Sequence, residues 1–212
     1  MPTRVFHGLL ILSVSGLILT GHLGGSAMVW HMRLGLLVLA LLVFRLVWGF
    51  VGGHWSQFAN FVRGPATVWR TLRAGPKVPG SIGHSPLAGW SVLAMLAGLL
   101  AQVASGLLAD DEIATAGPLS ALASSSQVEL ATHFHTRWGI WLIYGLIGLH
   151  LAAIAFYTWR RSEGLVRAML TGDKALGPDV GPPSKDNPAA RWAALALFAL
   201  ALLLSYGVSR LG

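Results

Sequence analysis

Five apolar stretches, each about as long as a bilayer core of about 30 Å demands of a helix, constrain this chain more than any other feature. They run over Val5–Thr20, His31–Val51, Pro86–Leu108, Trp138–Trp159 and Ala193–Val208. A backbone that crosses lipid must satisfy its own hydrogen bonds, so such stretches fold as α-helices. An all-α integral membrane protein is therefore expected. Charge agrees, since only 11% of residues are charged against about a quarter in a soluble domain. The first stretch is followed by no small-residue cleavage site and is expected to stay as a membrane anchor.

The distribution of charge gives an orientation. Residues 54–85 hold Arg63, Arg70, Arg73 and Lys77 without an acid, and the segment after the fourth stretch holds Arg160, Arg161, Arg167, Lys174 and Lys185 around the linker-like PDVGPPSKDNP. The segment from Asp110 to Glu129 instead holds Asp110, Asp111, Glu112 and Glu129 without a base. Of the 15 Lys and Arg, 11 fall on one side, Arg45 lies within a stretch, and Arg33, Arg137 and Arg210 fall on the other. Basic segments stay cytoplasmic, which predicts a multi-pass bacterial inner-membrane protein with a cytoplasmic N-terminus and a periplasmic C-terminus. The net charge of +7 then reflects topology in lipid and no nucleic-acid partner is expected. Trp30, Trp48, Trp138, Trp159 and Trp192 stand near stretch ends, where headgroup anchors are expected. Ser85 and Pro86 read as a helix cap with proline at the first position. Phe58 to Leu72 reads as an amphipathic helix on the inner surface.

The chain has no Cys, which removes disulfides, thiolate-bound iron-sulfur clusters, thiolate zinc sites and covalent CxxCH haem attachment. A metal would have to be held by histidine. Of the eight His, His22, His54 and His84 fall in loops or at stretch ends and need no functional explanation. His7 and His150 lie inside the first and fourth stretches, while His31 opens the second and His135 precedes or opens the fourth, so each pair can join two helices. An ionisable residue within a membrane is costly enough to mark function, and paired imidazoles are axial ligands for haem iron. Residues 135 and 150 are about 22 Å apart along a helix and about 60° apart in rotation, room for two stacked groups. His133 is the alternative to His135. Gly35 and Gly139 each stand four residues after a paired histidine, where a missing side chain makes room for a porphyrin. Arg45 must pair or snorkel, with a haem propionate and the inner surface as its two expected destinations.

PTRVFHG, FRLVWGFVG, FVRGP, GHSPLAGW, GLHL and LVRAMLTGDK occur in this order over residues 2–174. Together they resemble the bacterial cytochrome b561 family, which includes the b-type cytochrome subunits of nickel-iron hydrogenases. The resemblance implies a four-helix bundle holding two haems b, with His7, His31 and His150 at ligand positions. It also implies that the remaining ligand stands 14 residues before its helix partner, at Thr136, one place from His135. The expected organisation is a di-haem domain over 1–174, a cytoplasmic linker over 175–188 and one additional transmembrane helix over 189–212, used for packing or partner contact.

The expected function is transfer of electrons across the inner membrane between the quinone pool and a periplasmic or membrane redox protein, as the electron-transfer subunit of an oxidoreductase system. The alternatives are a self-sufficient quinone-linked oxidoreductase, such as one oxidising superoxide, and a metal or proton transporter that uses the same histidines.

Overall fold

A computed structural model describes residues 1–74, 86–161, 165–171 and 187–211. Lys77, His84, Ser85, Lys174, Lys185 and most of the 175–188 linker lie outside the described residues. Among those described, nearly every residue outside short turns is helical and no strand occurs. The helices are α1 (Pro2–Leu23), α2 (Met28–Val51), α3 (Phe58–Phe61), α4 (Pro65–Ala74), α5 (Pro86–Leu108), α6 (Ser125–His133), α7 (Gly139–Arg161), α8 (Leu165–Thr171) and α9 (Pro188–Val208). A π-turn, Phe134–Trp138, makes α6 and α7 continuous. Five helices are long and apolar enough to cross a membrane, with α6 and α7 counted together.

The centre of the bundle is α2. Its Val38, Leu41 and Leu42 are fully buried, and it packs against α1, α5 and α9, while α5 packs against α7. Lipid offers apolar side chains as good a home as another helix does, so close packing and interhelical hydrogen bonds hold such a bundle together. On α9 the buried positions are Ala194, Ala201 and Ser205, whose small side chains admit α2. Ser205 Oγ donates to the Leu36 carbonyl of α2 at 2.6 Å, and Phe198 meets Phe44 edge to face at 6.0 Å.

Each end of the bundle has its own polar character. At one end Thr3 and Ser56 hydroxyls lie 2.7 Å apart and Arg4 donates to the Leu170 carbonyl at 3.2 Å, gathering the start of α1 and the end of α8 with the segment after α2. This basic end also carries α4. At the other, acidic end, Asp110 N–H donates to Thr132 Oγ1 at 3.0 Å. Asp111 Oδ1 there accepts from the backbone N–H groups of Ile113, Ala114 and Thr115 at 2.8 to 2.9 Å. Donors from Thr115, Ala114 and Ile113 favour the ionised carboxyl and lower its pKa from 3.8 to about 2.

Three sequence expectations change. The fourth span begins at Ser125, well before Trp138, because Ser124 and Gln127 form a reciprocal capping box that starts a helix regardless of lipid. The surface segment is two helices, since the backbone is extended at Val62 and Pro65 begins a new helix on the Gly64 carbonyl. Trp48 is 4% exposed and stacks on Phe44 at 5.7 Å, so it is a core residue, whereas Trp30, Trp138, Trp159 and Trp192 are exposed.

Candidate functional site

The four histidines meet in two pairs. His31, on the first turn of α2, faces His135 of the π-turn with ring centroids 6.1 Å apart and planes at 90°. His7 of α1 faces His150 of α7 at 6.4 Å and 60°. All four rings are half-buried. The first pair lies toward the acidic end and the second toward the basic end.

The acidic-end pair is held by its Nδ1 atoms. His31 Nδ1 donates to the Leu17 carbonyl at 3.1 Å, with Thr20 Oγ1 at 3.3 Å. His135 Nδ1 donates to the Gln102 carbonyl at 2.9 Å, with Ser105 Oγ at 3.4 Å. A carbonyl can only accept, so each ring carries its proton on Nδ1 and leaves the Nε2 lone pair for a metal, the arrangement usual for metal-bound histidine. Two glycines make room for these rings. A Cβ on Gly21 would stand 3.2 Å from His31 Cε1, and one on Gly106 would stand 2.7 Å from His135 Cε1.

The separations suit an iron held between two imidazoles. Metal–nitrogen bonds of about 2 Å on both sides, plus the distance from each nitrogen to its ring centre, put the centroids about 6 Å apart. Among the described residues no three His, Asp or Glu converge on one point. Two protein ligands suffice where a macrocycle provides the other four, while a bare zinc or calcium ion needs more. Haem is the group this donor set fits.

The helix leading to His135 carries one extra residue. At the π-turn the Gly139 N–H reaches back five residues to the Phe134 carbonyl, so the chain gains a residue without a further helical step. The interval of 15 residues from His135 to His150 thus has the helical phase of about 14, the spacing that the family resemblance implies. His133, the alternative, is exposed.

The remaining candidates separate cleanly. His22 donates from Nδ1 to the Ile18 carbonyl at 2.8 Å and stacks on Tyr144 at 6.4 Å, and His54 is exposed beside Asn60. Gly35 faces open space, as room for a large group requires, but the space at Gly139 is filled by the Gln102 side chain, whose Oε1 stands where a Cβ would be. Arg45 makes its contacts with the segment that follows α2. Its Nη1 donates to the Ser56 carbonyl at 3.1 Å and its guanidinium lies 4.6 Å from the Phe58 ring centre, so it braces the segment after α2.

Gln102, Ser105, Gly106, Thr20 and Gly21 escaped sequence reasoning. A signal existed for one of them, since Gln102 is the only amide in α5 and a polar group inside a membrane is costly. The structure also joins FVRGP to GHSPLAGW. Trp90 Nε1 donates to the Arg63 carbonyl at 2.8 Å, and a Cβ on Gly89 would stand 2.7 Å from the Phe61 carbonyl oxygen.

The family model described as prokaryotic cytochrome b561 matches residues 1–172. No curated protein and no solved structure matches the chain.

Proposed function

This chain belongs to the prokaryotic cytochrome b561 family, membrane b-type cytochromes that bind haem and transfer electrons, and from that premise we propose that it holds two haems b and links the quinone pool to a redox partner protein across the inner membrane. The observation that carries the reading is the presence of two imidazole pairs, each at a separation that suits one iron, toward opposite ends of the bundle. His31 and His135 hold one group and His7 and His150 the other. Bound haem supplies a one-electron centre, and with both axial positions taken by histidine it is suited to electron transfer over oxygen binding.

The protein's own part is to orient and to insulate. Leu17 and Gln102 carbonyls fix the tautomer and tilt of the acidic-end rings, so these ligands need little rearrangement when the charge between them changes. The two pairs lie about 20 Å apart by helix rise, which covers much of a core about 30 Å thick. The basic end, with Arg4, Arg63, Arg70, Arg73 and Arg167, is the cytoplasmic end by the positive-inside rule. The acidic end then faces the periplasm.

Reduction by a short-chain ubiquinol tests the function. The α-band of the purified wild-type protein is expected to rise fully on quinol addition. In proteoliposomes, electrons should reach an acceptor trapped on the far side, and His7→Ala should stop that passage. Failure of quinol to reduce the wild-type protein would refute the quinone link.

A further inference from the structure

We propose that Gln102 is a positioning residue that clamps His135 at both its backbone and its ring, and through it tunes the haem at the acidic end. The inference rests on the reading of His135 as an axial ligand. In the π-turn, Gly139 N–H bonds the Phe134 carbonyl. Once the ordinary helical pattern resumes in α7, the carbonyl passed over is that of His135. An unpaired carbonyl inside a membrane is costly, because no water is there to replace the lost hydrogen bond.

Gln102 supplies the missing partner. Its Nε2 donates to the His135 carbonyl at 3.0 Å, while its own backbone carbonyl accepts from His135 Nδ1 at 2.9 Å. The two bonds run in opposite directions between the same two residues, so the ring cannot turn without breaking the Nδ1 bond and the backbone that carries it cannot shift without breaking the amide bond. Gly139 completes the clamp, because any Cβ there would collide with Gln102 Oε1. The glycine four residues after His135 thus serves this amide. The Nδ1 partner of a metal-bound histidine sets its orientation and basicity, and here the Gln102 amide holds the backbone from which that ring is aimed.

Removing only the side chain of Gln102 leaves its backbone bond to the ring but frees the His135 carbonyl. A less firmly held imidazole donates less electron density to ferric iron, so the potential of that haem should rise. Purified full-length protein with Gln102→Ala, or with the similarly sized Gln102→Met, is compared with wild type by haem-to-protein ratio, low-spin electron paramagnetic resonance and potentiometric titration. In both variants the resonance and midpoint of one haem should move while the other stays. The midpoint should rise by about 59 mV for each tenfold weakening of ferric relative to ferrous binding. Selective loss of that one haem in both variants supports the proposal as well. Wild-type behaviour of Gln102→Met overturns it, since bulk alone would then account for Gln102. Unchanged signals in Gln102→Ala, or equal loss of both haems, overturn it too. An error in the ligand assignment itself would show separately, as retention of both haems in His135→Ala.

Discussion

At the scale of single residues, the chemistry is concentrated in imidazoles and in the small residues that admit them. His133→Ala is predicted to leave the haem content and spectrum unchanged, while His135→Ala loses one haem, both read by pyridine haemochrome assay. Exposure separates the two positions, since His133 points out and His135 meets His31. Sequence spacing alone left the two open because it assumes a uniform 100° per residue, and a π-turn breaks that assumption. Gly106→Leu should also lose the acidic-end haem, as its side chain would occupy the place of the His135 ring. Arg45→Ala has a different expected outcome. It removes a charged hydrogen bond to Ser56, worth about 1.5 to 3 kcal/mol, so thermal stability in detergent should fall while both haems and their potentials remain. A shift in the basic-end haem would instead point to a propionate contact of Arg45.

At the scale of elements, the length and apolar content of five stretches made the spans legible, because those two properties are what lipid demands of a helix. What they did not disclose were the features set by local hydrogen bonding, namely the early start at Ser125, the π-turn and the break at Gly64–Pro65. Each is built from hydrogen bonds within five residues, which hydropathy does not register. The turn after α5 gives a prediction at this scale. Asp111 gains three backbone donors on folding and its pKa falls to about 2, so its contribution is present above about pH 4 and is lost as pH falls through about 2. Hydrogen exchange at residues 113 to 115 should be insensitive to loop opening from pH 7 to 4 and should speed up near pH 2, beyond the intrinsic change. In Asp111→Ala the same amides should exchange close to their intrinsic rates at every pH.

At the scale of the molecule, the matched family region ends at residue 172, and α9 lies beyond it against α2. Truncation after residue 174 is predicted to keep both haems with unaltered spectra but to lower thermal stability, because α9 contributes no histidine and buries Ala194, Ala201 and Ser205. The five spans could be read from the sequence, but the facing of His31 with His135 and of His7 with His150, and the hydrogen bonds behind those rings, depend on how α1, α2, α5 and α7 come together. The central claim is that two pairs of histidines, each joining two helices, hold one haem apiece. Haem-to-protein ratio in wild type and in the four single His→Ala variants tests it most directly. The account predicts two haems in wild type and one in each variant, with His7→Ala and His150→Ala retaining one and the same spectrum and His31→Ala and His135→Ala retaining the other. A single haem in wild type, or a common residual spectrum in His7→Ala and His31→Ala, would contradict it.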